Sequence, residues 1–123
     1  MIVDSDVLIW HLRDHSVATK YLHDAGKRGP VFVSTITVAE VASGQSANPR
    51  VLEQLFTAIE PLPVTFEIAQ RAGAYRQRFG PSHGVGLADC IIAATADAHE
   101  LQVATLNVRH FPMIRGLKPA FKP

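Results

Sequence analysis

Met1-Ile2-Val3-Asp4-Ser5-Asp6-Val7-Leu8-Ile9 opens the chain with a short apolar run that stops on two acids separated by one serine. Ile2-Val3 is β-branched and gives way at once to polar residues, so it reads as a buried first strand ending at Asp4. An acid at the end of a buried strand has two uses. It caps the helix that follows near Asp6, or it belongs to a site at the end of the sheet. With two acids present, Asp6 is the better cap, which leaves Asp4 for chemistry.

Outward from this stretch, residues 17–25 suit a short helix closed by Gly26, and Gly29-Pro30 punctuates the chain before Val31-Phe32-Val33, a second strand. Ser34 and Thr35 offer caps ahead of a helix over residues 37–43 that stops at Gly44, and Asn48-Pro49 starts another that runs to Ala58. Residues 59–64 make a weaker strand. Ile68, Ala72, Tyr75 and Phe79 recur at helical spacing over residues 66–79, with Gly80-Pro81 as the stop. Residues 87–98 are apolar almost all round, which requires a helix buried on most of its surface, and residues 102–105 read as a strand. Strands alternating with helices of this length predict parallel βαβ units in an α/β fold covered on both faces. Ligands then gather beyond the carboxyl ends of the strands.

The 123 residues contain no repeat or linker and are read as one domain, residues 1–123. Cys90 has no second cysteine to pair with, so an internal disulfide and a cysteine-held zinc are excluded. The histidines form no helical metal pair. No apolar run is long enough to span a membrane and no basic leader opens the chain, so the cytoplasm is the expected compartment. The net charge of +1 hides an asymmetry: residues 1–100 hold eight basic and eleven acidic side chains, whereas residues 101–123 hold only Arg109, Arg115, Lys118 and Lys122. That basic tail is either a solubilising surface or a contact for RNA phosphates, and Arg109 with His110 suits the second use.

Three carboxylates and one amide fall at element ends where they can converge: Asp4 after the first strand, Glu40 on the helix after the second, Asp89 in the first turn of the apolar helix, and Asn107 after the last strand. Such a set suits a hard divalent cation, which takes a few carboxylate oxygens and keeps open positions for substrate. A cation there can polarise a phosphoryl oxygen and activate water, the requirements of phosphodiester hydrolysis. Each residue also has a structural use. Thr37-Val38-Ala39-Glu40 matches a capping box, Asp89 can complement a helix dipole, and Asn107 can serve a turn. A buried Asp89 without a partner would cost several kcal/mol, which favours a cation beside it.

The stretches Ile2–Ile9 (IVDSDVLI), Val33–Gly44 (VSTITVAEVASG), Leu87–Ala96 (LADCIIAATA) and Thr105–Phe111 (TLNVRHF) resemble, in order and spacing, the PIN-domain family and more closely its VapC toxins. The resemblance implies a three-layer α/β/α fold with a mostly parallel sheet. It also implies a Mg²⁺- or Mn²⁺-dependent endoribonuclease with Asp4, Glu40 and Asp89 as acidic metal ligands. Asn107 matches a position where the family carries Asp or Asn, Thr105 matches a hydroxyl that orients a neighbouring carboxylate or a water, and Asp6 is a supporting residue behind the ligands. A homodimer, inhibition by a VapB-type antitoxin and a toxin–antitoxin hetero-oligomer follow from the same resemblance.

Three other functions fit parts of the pattern. A PIN nuclease that matures RNA without an antitoxin would share every residue named above. A haloacid-dehalogenase-type phosphotransferase would use Asp4-Ser5-Asp6 as nucleophile and acid, but Leu8 stands where Thr or Val is expected and the chain is short for that fold. A noncatalytic binding module would have no use for the intact acidic trio.

Overall fold

The computed structural model describes residues 1–44 and 48–123. Its centre is a four-stranded, wholly parallel sheet in the order β3-β2-β1-β4, formed by β1 (Ile2–Val3), β2 (Phe32–Ser34), β3 (Glu60–Leu62) and β4 (Val103–Ala104). Ile2 pairs with Phe32 on one side and Val103 on the other, and Val3 pairs with Ala104. Alternate residues of a strand face opposite sides of the sheet. Val3, Val31, Val33 and Ala104 therefore fall in one core cluster, and Ile2 and Val103 in another.

Among the described residues, six helices cover these two faces: α1 (Ser5–Leu12), α2 (Ser16–Arg28), α3 (Thr35–Ala42), α4 (Pro49–Ala58), α5 (Phe66–His83) and α6 (Leu87–His99). Val7 and Leu8 of α1, Ala25 of α2 and Leu55 of α4 pack on the first face. Ile92, Ala93 and Ala96 of α6 pack with Phe111 on the second. Ile68 and Ala72 of α5 join Cys90 and Ala94 of α6 in an outer layer beyond it. The apolar character of α6 all round is thus explained, because it lies between the sheet and α5. The three-layer α/β/α arrangement is the one expected from the sequence.

Four local expectations are corrected. Helix α2 runs through Gly26 to Arg28, since a glycine facing open space weakens a helix by only about 1 kcal/mol and packing outweighs that. Helix α5 runs through Gly80-Pro81 to His83 and ends at Gly84, whose φ of 62° is the left-handed conformation a glycine adopts without a Cβ penalty. Proline disfavours a helical conformation in the residue before it partly through that residue's Cβ, which Gly80 lacks. At the start of α1, the residue at the cap is Asp4, which accepts from the Ser5 N–H at 2.7 Å, whereas Asp6 lies within the first turn. Ser34 caps α3 through the Ile36 N–H, so the capping box of Thr37 with Glu40 does not form. Thr37 is fully buried, and its hydroxyl has no hydrogen-bond partner among the described residues.

Candidate active site

The strand order places β2 and β3 on one side of β1 and β4 on the other, so successive connections diverge at the carboxyl ends of β1 and β4. A crevice at such a divergence is where open α/β sheets bind ligands. Asp4 follows β1 at this point and Thr105 follows β4. The Asp4 N–H donates to the Ala104 carbonyl at 2.9 Å, which continues the sheet pairing to the edge of the crevice.

Thr105 is the hub of the site. Its fully buried hydroxyl lies 2.8 Å from Asp4 Oδ2, the donor's main acceptor, and 3.3 Å from Asp6 Oδ2. The same oxygen accepts from the Asn107 N–H at 3.0 Å. Asp6 is anchored by the Leu106 N–H at 2.9 Å and by the Val7 N–H at 2.7 Å. Two acids from the start of the chain are thereby fixed by the backbone and hydroxyl of the segment after β4.

Asp89 enters from the first turn of α6, whose cap residue Gly86 supplies no side chain, and Glu40 enters from α3. Asp89 is partly buried and lies 3.5 Å from His110 Nδ1, while Glu40 is exposed at the rim. Burial pushes the Asp4 carboxyl up to about 7, with the Asp6 charge adding to the push and the Thr105 and Ser5 hydrogen bonds pulling against it. Desolvation also raises Asp89, opposed by His110, and raises Glu40, where the Asp89 charge adds to the effect. Asp4, Asp6, Asp89 and Glu40 thus form one set of mutually repelling carboxylates at the sheet edge.

The sequence pattern of the PIN domain matches residues 1–116 of this chain. The chain belongs to the PIN-domain family. Among its relatives in Mycobacterium tuberculosis, ribonuclease VapC10 is 46% identical over 123 residues, covering 98% of this chain and 92% of the relative. Ribonuclease VapC19 is 32% identical over 123 residues, covering 98% of each chain. A solved toxin–antitoxin complex from Klebsiella pneumoniae contains a chain that superposes with a TM-score of 0.82 at 25% identity, covering 99% of this chain and 98% of that one. This PIN domain therefore falls in the VapC group by sequence and shares its fold.

The donors in the crevice are carboxylate, hydroxyl and amide oxygens, the chemistry that suits a hard divalent cation. Among the described residues no three His, Cys, Asp or Glu side chains stand close enough to enclose an ion by themselves. A cation held here would therefore rest on one or two of these carboxylates and complete its shell with water and substrate oxygens, as Mg²⁺ usually does. The raised pKa values of Asp4, Asp89 and Glu40 provide a second point of fit, because a cation can take the place of a proton there.

Hydrogen bonds join Asp4, Asp6 and Thr105 directly, whereas Asp89 bears on Asp4, and Glu40 on Asp89, through charge alone, with Glu40 exposed. Asn107 is exposed at the mouth and its side chain does not cap the 3-10 turn Val108–His110 that follows. Of the basic residues, Arg109 is exposed and lines a cavity with His110. Arg115 and Lys118 instead line a separate cavity with Tyr21 and Asp97. Lys122 is exposed next to Phe121, which packs on His15 and Tyr21. The sequence offered His110 only as a phosphate contact beside Arg109 and gave no sign of its approach to Asp89. No local pattern announces that contact, since it depends on how the 3-10 turn folds back over the start of α6.

Proposed function

We propose that this PIN domain is a Mg²⁺- or Mn²⁺-dependent endoribonuclease that hydrolyses RNA phosphodiester bonds in the cytoplasm, and that it is the toxin of a type II toxin–antitoxin pair. The observation that carries the proposal is the buried Asp4 carboxylate, held by Thr105 beside Asp6, with Asp89 and Glu40 entering the same crevice. Asp4, Asp89 and Glu40 would hold the cation, one or two of them directly and the rest through its water shell. When bound, it polarises the phosphoryl oxygen and lowers the pKa of water, which supplies the electrophilic half of the reaction.

The remaining work falls to the chain itself. Thr105 fixes the rotamer of Asp4 and, through its contact with Asp6, the spacing between the two acids. Backbone donors from Val7 and Leu106 keep Asp6 from swinging into the crevice. Asn107, at the mouth, presents an amide to the substrate or to water. His110, 3.5 Å from Asp89, opposes the rise that desolvation imposes on the Asp89 carboxyl.

Kinship with ribonucleases VapC10 and VapC19, and likeness to a chain of a toxin–antitoxin complex, support an RNA substrate and an antitoxin partner. We assign this chain a VapB-type antitoxin and a homodimer, joined as a hetero-oligomer. Calorimetry with Mn²⁺ at neutral pH tests the metal assignment. Binding accompanied by proton release is expected of the parent, and loss of both in Asp4→Asn. Metal binding unchanged by that substitution would contradict the site.

A further inference from the structure

A cavity of about 520 Å³ lies against the acidic crevice and is lined by His83, Val108, Arg109, His110 and Pro112. Three of its five residues are basic side-chain types. It meets the carboxylate set at His110, which lines the cavity while its Nδ1 lies 3.5 Å from Asp89. The wall contributed by α5 is ordered by local contacts. The Ser82 hydroxyl lies 2.7 Å from His83 Nδ1, and the His83 ring meets Phe79 edge-on with centroids 5.9 Å apart. Nδ1 is thereby engaged, leaving Nε2 as the nitrogen a ligand can take. Gly84, in the left-handed conformation, turns the chain directly after His83 and fixes where that wall stops.

We propose that this cavity is a subsite for an RNA backbone phosphate one step along the strand from the bond that is cut, with Arg109 and His83 as its two walls. The inference rests on the ribonuclease reading of the adjoining crevice. At Asp4 and Asp89 the cation would serve the phosphate that is cut, so the neighbouring phosphate must be received by other donors close by. Arg109 supplies a permanent cation with several N–H donors, and the imidazoles of His83 and His110 supply N–H donors from two different elements. The volume falls in the range of pockets that accept a molecule of nucleotide size. An acidic protein segment would use the same donors, but it has no diester to place beside the carboxylates.

The test is equilibrium binding of a fluorescein-labelled single-stranded oligoribonucleotide to the full chain, followed by anisotropy across a salt series with chelator present so that no strand is cut. Arg109→Ala is expected to weaken binding about tenfold and to reduce the salt slope by about 0.7, the loss of one phosphate contact to a single strand. His83→Gln is expected to weaken binding about threefold. Lys20→Ala, on an exposed helix surface, serves as the control and is expected to bind like the parent. Unchanged affinity in both variants, or in His83→Gln alone, would overturn the subsite. So would a loss of binding to polyglutamate with RNA binding intact, which would assign the cavity to a protein partner. Cleavage of the same RNA by the parent with Mn²⁺ is run alongside. Cleavage with unaltered variant binding removes only the subsite, whereas absence of cleavage removes the ribonuclease reading itself.

Discussion

The Thr105 hydroxyl lies 2.8 Å from Asp4 Oδ2, joining residues 101 positions apart at the end of the β1–β4 pair. The bond turns a strand-end acid into an oriented one, and it is also a force that lowers the Asp4 pKa. Its removal therefore has a direction. Thr105→Val, nearly isosteric, is expected to reduce RNA cleavage at least tenfold at neutral pH and to move the acid limb of the pH–rate profile to higher pH. Thr105→Ser should restore most of both. A parent-like profile in Thr105→Val would mean that the bond has no part in catalysis.

Asp4 also sets the pH dependence of stability. Its folded pKa of about 7 lies above its ordinary value of 3.8, so between those values the native state holds a proton that the unfolded chain has released. Metal-free stability should therefore fall as pH rises through that interval and level off above it, a loss on the order of 4 kcal/mol at most. In chelator, Asp4→Asn should melt several degrees above the parent at about pH 8, with a smaller advantage at about pH 5. Mn²⁺ should raise the melting temperature of the parent more at the higher pH and that of Asp4→Asn little at either. Equal melting curves at both pH values would remove Asp4 from the crowded set.

Glu40→Gln separates structure from chemistry on α3. Ser34 is the residue that caps this helix, so the substitution should leave the melting temperature nearly unchanged. Gln is a poor ligand for a hard cation, and cleavage should fall roughly tenfold or more. A stable and fully active variant would show that Glu40 has no role beyond the surface of α3.

Gly84→Ala tests the end of α5. A Cβ at a φ of 62° costs about 1 kcal/mol even though open space surrounds the position. The variant should unfold at a correspondingly lower denaturant concentration with an unchanged m-value. No loss of stability would show that another residue terminates the helix.

The sheet and the position of Asp4 were legible because β1 is a pure apolar run stopped by an acid, and α6 was legible because its composition demanded burial on all sides. The errors at Gly26 and Gly80-Pro81 share a cause. Both were taken as local punctuation, whereas Ala25 of α2 and Phe79 of α5 pack against their neighbours right beside the weak positions, and Gly80 lacks the Cβ that would resist the following proline. Within the site, the residue types at Asp4, Glu40 and Asp89 pointed to metal chemistry, yet two relations could not be read. The anchoring of Asp6 by Leu106 requires the pairing of strands from opposite ends of the chain, and the contact of His110 with Asp89 requires the path of the 3-10 turn. Neither leaves a periodicity or a motif in the residues nearby.

The central claim is that the carboxylate set cuts RNA with a divalent cation, and its most direct test is cleavage of total cellular RNA by the parent and Asp89→Asn. Each is assayed with Mg²⁺, with Mn²⁺ and with chelator, after circular dichroism has shown both proteins folded. Cleavage by the parent only when a cation is present, lowered by about a hundredfold or more in Asp89→Asn, is the predicted result. Cleavage that survives chelation, or near-parent turnover by a folded Asp89→Asn, would contradict it.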